Sequence, residues 1–318
     1  MPEVSVIITC YNEAVFVENA LQSVLKQTFL DFDVFVVDDG SEDNTREIIL
    51  PYTKQHNVKY MFQKNRGLPA ARNKGIQNSR GEYLAFLDAD DSRLLQKLEK
   101  QIKYAEKHPG TALIYTDFYR YNEKGERFSQ GYPKSYKNPE KFLPDIFMRD
   151  ASIIPSTVII KRDVLKDVGY FDEELLMKQE YDLWIRIGGK YPIGYANEPL
   201  VNKVERQDSL TKRNGKLRLE YQLLAAEKAV EKFPSLAKYK EKRFAKAYYD
   251  FGLFYYSINK PQEARKAFVK AIEHDYRYWK TYPMIVISLL GHKPRNTLIS
   301  LFRKTLDIFR ALRTLAVK

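Results

Sequence analysis

Apolar positions in the first hundred residues fall into short continuous runs, each closed by polar or glycine-containing sequence. Val4 to Thr9 is the first, Phe32 to Val37 the second and Val58 to Phe62 the third. The fourth begins after Gly81 and ends at Asp88. Runs of this length suit strands buried on both faces of a parallel sheet. Between them the spacing turns helical. Val17, Leu21, Val24 and Leu25 share one face of a helix expected from about Ala14. A second helix is expected up to about Tyr52, with Gly40 supplying the turn before it and Ser41 or Asp43 its cap. Asn65 to Gly75 reads as a glycine-led entry into a third helix. Leu95, Leu98, Ile102 and Ala105 give a fourth its apolar face. Strands alternating with helices predict an α/β fold, Rossmann-like, with a mostly parallel sheet and helices on both faces.

Beyond a strand expected at Thr111 to Phe118 the regularity weakens. Residues 119–150 read as loop sequence rich in Tyr, Pro and Lys. Ser156 to Ile160 reads as a strand, Gly169 to Asp172 as a turn and Glu180 to Ile187 as a helix. Residues 203–215 are polar and read as a mobile connection. We therefore expect one domain over 1–210 and an α-helical module over 211–318. Within the module, Gly252, Tyr255, Ala264, Phe268 and Ala271 follow the spacing of a tetratricopeptide unit. Tyr276 stands where a closing proline is usual and no second repeat follows, so an ordinary helical hairpin is an equal reading. Tyr282 to Leu290 is apolar but too short to span a membrane. Leu298, Leu301, Phe302, Ile308, Phe309, Leu312 and Leu315 form a stripe flanked by Arg303, Lys304, Arg310 and Arg313. A basic amphipathic helix of this kind suits a membrane interface, and equally a packed terminal helix or a dimer helix.

Composition narrows the class. The 318 residues are 44% hydrophobic and 30% charged, as in a folded chain rather than a disordered one. The single cysteine, Cys10, excludes an internal disulfide framework and fits a reducing compartment. No run approaches the roughly 18 apolar residues of a membrane span. The chain enters its first strand directly, without a signal peptide. The expected location is cytoplasmic, with peripheral contact at the inner face of the plasma membrane open through the tail.

The net charge of +12 is unevenly placed. Residues 1–214 hold 31 Lys and Arg against 32 Asp and Glu, whereas residues 215–318 hold 22 against 9. A basic module points to an anionic partner surface, although a solvated lysine-rich face competes. No nucleic-acid motif accompanies the charge, so nucleic acid is not an expected partner.

The candidate chemistry begins at Asp88-Ala89-Asp90-Asp91, just past the fourth strand. Open α/β sheets place their ligands at that edge. Carboxylates crowded there repel one another unless a cation joins them. Mg²⁺ takes oxygen ligands and bridges to substrate phosphates. Asp88 and Asp90 therefore read as a grip on a metal–diphosphate, or as an acidic turn capping the helix near Leu94. Two more loops, Thr9 to Glu13 and Asp38 to Ser41, close consecutive strands and converge on the same crevice.

Together these motifs resemble the family 2 glycosyltransferases, which have the nucleotide-diphospho-sugar transferase (GT-A) fold. The resemblance rests on five segments in the family's order, covering roughly residues 1–210: Val4 to Glu13, Val36 to Ser41, Asn65 to Asn73, Phe86 to Asp91 and Gln179 to Arg186. It implies that Thr9, Tyr11 and Glu13 line a nucleotide site, that Asp39 accepts from the base and that Asp38 orients its loop. Arg72 would neutralise charge near the diphosphate or base, a surface arginine being the competing reading. Asp88 would meet the ribose or sugar, and Asp90 would bind a divalent metal, Mg²⁺ or Mn²⁺.

Inverting transfer needs a base to take the acceptor hydroxyl proton as that oxygen attacks the anomeric carbon. The family usually has Glu-Asp at a helix start, the Asp being the base; here the pair is Gln179-Glu180. Glu180 takes the base position and Asp182 is the second candidate. An acid favoured by the helix dipole is the competing reading of Glu180. Trp184 reads as core or pocket wall rather than as a sugar platform. The Gln-x-x-Arg-Trp motif of processive synthases is missing, which argues for adding a single sugar.

The implied function is metal-dependent, inverting transfer of one sugar from a UDP- or dTDP-sugar to a glycan or lipid-linked acceptor, in surface polysaccharide assembly. Arg206, Asp208 and Ser209 would close over the donor or serve as linker. A homo-oligomer is open. The alternative is a catalytically weak scaffold protein that recruits a partner through the helical module. A nucleotidyltransferase would need a Gly/Lys-rich phosphate loop, which Thr9 to Glu13 is not.

Overall fold

The computed structural model describes residues 2–54, 57–131, 139–149, 153–206 and 214–289. The chain divides into two compact units, 1–209 and 210–318. In the first unit, strand β1 (Val4–Cys10) leads to α1 (Val17–Leu25), β2 (Phe32–Asp38) to α2 (Thr45–Ile49), and β3 (Val58–Phe62) to α3 (Leu68–Asn78). Next come β4 (Tyr83–Asp88), the two-residue β5 (Ser92–Arg93), α4 (Lys97–Lys107) and the hairpin of β6 (Leu113–Asn122) and β7 (Arg127–Gly131). Helix α5 (Pro139–Arg149), β8 (Ile159–Lys161), α6 (Arg162–Val168), α7 (Gln179–Gly188) and β9 (Ile193–Glu205) complete it.

The sheet runs β3-β2-β1-β4-β8-β6-β9-β5, with β7 on β6. Strands β3, β2, β1 and β4 are parallel, as the apolar runs predict. The sheet as a whole is mixed. Strand β8 lies antiparallel to both β4 and β6, β9 parallel to β6, and β5 antiparallel to β9. Two reversals cancel, so β6 and β9 point the same way as β4. The carboxyl ends of β1, β2, β4, β6 and β9 therefore lie along one edge.

Burial on both faces explains the unbroken apolar runs of β1, β2 and β4. Val6, Ile8, Val34, Val36 and Leu87 pack with Val17, Leu21, Val24, Leu98 and Ile102 from α1 and α4. Several sequence expectations shift. The helix expected to Tyr52 is α2 followed by a 3₁₀ turn, Leu50–Lys54, whose Pro51 has no N–H to continue the ladder. Leu95, expected on the face of α4, lies before the helix and is exposed. The segment 119–150 is not loop throughout, because it holds the end of β6, β7 and α5. Residues 203–205, read as mobile connection, end a thirteen-residue strand in which Lys203 pairs with Arg120. Asp208 and Ser209 lie outside the described residues.

One core group has an odd environment. Lys97 is fully buried in the first turn of α4, and its Nζ donates to Gln101 Oε1 at 2.6 Å. Gln101 Nε2 in turn donates to the Ile114 and Thr157 carbonyls. Burial, and then the nearby Arg93 charge, push the Lys97 ammonium well below its ordinary range. Between that lowered value and the ordinary one near 10.5, the unfolded chain binds the extra proton, so this group makes stability rise with pH. The expected result for Lys97→Met is loss of that rise. Urea unfolding of both proteins from pH 7 to 9 checks it; parallel slopes would refute it.

The second unit holds α8 (Gly215–Lys232), α9 (Lys240–Ser257), α10 (Pro261–His274) and α11 (Thr281–Leu289). Asn214 caps α8 by accepting from the Leu217 N–H at 3.1 Å. Helices α9 and α10 pack closely at their small residues. A Cβ at Gly252 would stand 2.3 Å from the Phe268 ring, so only glycine admits this approach. Ala264, Phe268 and Ala271 are fully buried there, and Met284 and Ile287 of α11 join the same cluster. No helix of the described residues is long and apolar enough to cross a membrane. The amphipathic stripe of residues 298–315 lies outside them.

Candidate active site

Two of the three carboxyl-end loops, those after β1 and β2, meet through hydrogen bonds. After β1 the chain turns at Asn12, whose φ of 55° is left-handed. Its N–H donates to Ser41 Oγ at 2.9 Å, and its Oδ1 accepts from the Glu42 N–H at 2.8 Å. Glu13 N–H donates to Thr45 Oγ1. The β1 and β2 loops are thus one ledge. Asp38 is fully buried. It accepts from the Ser41 N–H at 2.8 Å and the Tyr60 hydroxyl at 2.7 Å, so it orients the loop. Gly40 permits the ledge, because at its φ of 89° a Cβ would sit 2.8 Å from the Asn65 nitrogen.

Asp39 faces the entry to α3. Its carboxylate accepts from Gln63 Nε2 at 2.7 Å, the Arg66 N–H at 2.9 Å and the Gly67 N–H at 2.8 Å. Four residues into α3 stands Arg72, only 1% exposed, which excludes a surface arginine. Its Nη2 donates to Asp88 Oδ1 at 2.6 Å, and its guanidinium lies over the Phe171 ring at 5.3 Å. Its Nε and Nη1 are buried with no hydrogen-bond partner among the described residues. Thr9 lies across the ladder from Asp88, and Tyr11 is half-exposed on the rim.

The other two acids differ. Asp90 is half-buried, and burial followed by the Asp88 charge pushes its carboxyl up. Asp91 does not cap α4. It is buried, accepts from Ser156 Oγ at 2.6 Å and leaves Oδ1 without a partner among the described residues. Burial pushes it up to about 8 even though Lys203 opposes the shift. That lysine comes from β9. The β5–β9 ladder pairs Ser92 with Asn202, and one step further sets Lys203 opposite Asp91. Burial lowers the Lys203 ammonium, but Asp91, Asp90, Glu205 and Asp88 outweigh it and hold it up. Arg206 Nη1 lies 2.7 Å from each oxygen of Glu13, and its guanidinium covers the Phe16 ring. Lys203 was missed in the sequence because its stretch looks like polar linker; the alternation of Val201 and Lys203 on one face was the available signal.

Helix α7 is anchored beside this rim. Asn73 exchanges hydrogen bonds with the Phe171 backbone, and Phe171 packs edge-on against Phe86 of β4 and Trp184 of α7. Trp184 is fully buried and donates to the Ile153 carbonyl, as a core residue does. Arg66 and Asn73 both donate to Glu173. Glu180 and Asp182 part company on α7. Asp182 is buried and ion-paired with Arg186 at 2.8 Å, while Arg186 also donates to the Val168, Gly169 and Tyr170 carbonyls. Glu180 is half-buried in the first turn and has no hydrogen-bond or ion-pair partner among the described residues.

Among the described residues no group of three or more His, Cys, Asp or Glu is placed to cage a metal. A Mg²⁺-type site built with substrate phosphates needs only one or two carboxylates. Asp90 and Asp88 fit that share: hard oxygens, partly open, whose joint negative charge a cation relieves.

The polar rim stands on the carboxyl edge of the sheet, where open α/β folds hold their ligands. The model of the family described as Glycosyl transferase family 2 matches residues 5–169. An uncharacterized glycosyltransferase of Methanocaldococcus jannaschii is 32% identical over 224 residues, covering 69% of this chain and 76% of that protein. The chain therefore belongs to the family 2 glycosyltransferases and is an enzyme of sugar transfer. Some relatives are much longer. A Rickettsia conorii glycosyltransferase is 32% identical over 198 residues, 62% of this chain, and the chain spans 32% of its length. Two solved structures share the fold. S. aureus TarS 1–349 in complex with UDP-GlcNAc has a TM-score of 0.60 at 18% identity, covering 88% of this chain and 90% of that one. The mannosyltransferase PcManGT of Pyrobaculum calidifontis, in complex with GDP-Man and Mn²⁺, has a TM-score of 0.57 at 18% identity, covering 99% and 83%.

Proposed function

We propose that the chain transfers a single sugar, with inversion, from a UDP- or dTDP-sugar to a hydroxyl of a glycan or lipid-linked acceptor in surface polysaccharide assembly. The observation that carries this reading is the Arg72 guanidinium. It is buried at the ligand edge, paired to Asp88 on one nitrogen and short of acceptors on two. A diphosphate supplies such acceptors. Thr9, Tyr11, Glu13 and Asp39 form the nucleotide ledge. TarS, a relative in fold, is seen with UDP-GlcNAc.

In this reading Glu180 is the base. Its carboxylate takes the acceptor hydroxyl proton as that oxygen bonds to the anomeric carbon, and the sugar–diphosphate bond breaks with its electron pair leaving on the nucleoside diphosphate. Arg72 steadies the leaving charge. Asp90, with Asp88, would hold a divalent ion, which when bound supplies further neutralisation of the diphosphate.

The test is calorimetric titration with UDP, dTDP and GDP, each with and without Mn²⁺. Binding of UDP or dTDP is expected, weakened about tenfold to a hundredfold in Arg72→Met, as for loss of a charged hydrogen bond. Binding of GDP alone would overturn the assignment of a UDP- or dTDP-sugar as donor. No binding of any nucleotide would overturn the whole reading.

A further inference from the structure

In the second unit, α11 buries one stripe and leaves another bare. Met284 and Ile287 face the α9–α10 hairpin. Tyr282, Val286 and Leu289, spaced four and three apart, are 37%, 55% and 61% exposed. One turn of an α-helix separates such positions, so they form a single line. The line continues into the turn before α11. Trp279 is 45% exposed there and Tyr276 70% exposed, and the Tyr282 hydroxyl donates to the Tyr276 carbonyl at 2.7 Å, joining turn to helix. Arg277 and Lys280 alternate with these rings. Two aromatic residues with polar tips, two aliphatic residues and a tyrosine make a surface that water solvates poorly.

Charge identifies what covers it. Residues 276–318 carry nine Lys and Arg and one Asp. A protein partner with an apolar patch would not call for that excess. An anionic bilayer does, because its surface potential attracts basic segments while its interface takes Trp and Tyr rings. The geometry points to the exposed stripe of α11 and its leading turn as a docking surface for an anionic lipid bilayer, with Trp279, Val286 and Leu289 entering the headgroup boundary. The contact proposed is peripheral: no helix of the described residues is long and apolar enough to cross a membrane. The inference does not depend on which sugar the first unit transfers.

Tryptophan emission isolates the contact. The chain has two tryptophans, and Trp184 is fully buried in the first unit, so a lipid-induced change reports Trp279. The intact chain is mixed with vesicles of phosphatidylcholine alone, or of phosphatidylcholine with phosphatidylglycerol, and also floated with them. A blue shift and flotation are expected only with phosphatidylglycerol. Trp279→Phe abolishes the shift, and Val286→Glu with Leu289→Glu lowers flotation at least about tenfold by removing buried apolar area. Because both side chains are exposed, the double variant keeps the wild-type melting temperature. Flotation of that variant at the wild-type level would overturn the proposal, as would equal binding to neutral vesicles. So would a wild type that self-associates, loses this with the double substitution and floats with neither vesicle.

Discussion

Glu180→Gln lowers turnover by about 10²- to 10⁴-fold and leaves the Michaelis constant for the donor within about threefold. The side chain stands in the first turn of α7 and has no partner among the described residues, so the amide is nearly isosteric and the fold does not notice it. What is lost is the acceptance of one proton. Steady-state kinetics on the purified variant, with nucleotide binding measured separately, checks the split. A variant with full turnover would remove Glu180 from the chemistry.

Asp182→Ala acts on the other quantity. It destabilises the fold by about 3–5 kcal/mol, the usual cost of leaving one member of a buried ion pair uncompensated. Arg186 keeps its three carbonyl acceptors but loses its only carboxylate among the described contacts. In a domain of this size each kcal/mol moves the melting temperature by about 2–4 °C, so a fall of roughly 6–20 °C is expected. At a temperature where the variant is folded, turnover falls far less than in Glu180→Gln. The reverse pattern, wild-type melting with lost turnover, would make Asp182 the base.

Legibility of the sequence followed burial. Where a strand is covered on both faces, its apolar run has no reason to be broken, so β1, β2 and β4 stood out almost to the residue. Strands β6 and β9 run out past the covered core, and their distal halves alternate charged, aromatic and aliphatic side chains. Tyr119, Arg120 and Tyr121 therefore looked like loop, as did Lys203 and Glu205. Strand β8, with three residues, is too short to declare its direction, and the mixed sheet was hidden for that reason. The acids of the rim were legible as residue types. Their division of labour was not. Burial of Asp91 against Ser156, and the pairing of Asp182 with Arg186, are facts of three-dimensional neighbours that spacing along the chain does not encode.

The place of β8 has a consequence for how the chain is made. One side of β4 pairs with β1, which has already been synthesised. The other side pairs with Ile159, Ile160 and Lys161. At about 5–20 residues per second, translation from the end of β4 to the end of β8 takes roughly 4–15 s. Through that interval the growing chain on the ribosome carries Tyr83 to Ala85 with an open hydrogen-bonding edge, and such edges recruit other strands. Synthesis rate between residues 88 and 161 therefore sets how long that edge stays open. Synonymous codons that slow this stretch lengthen the exposure, and those that speed it shorten it.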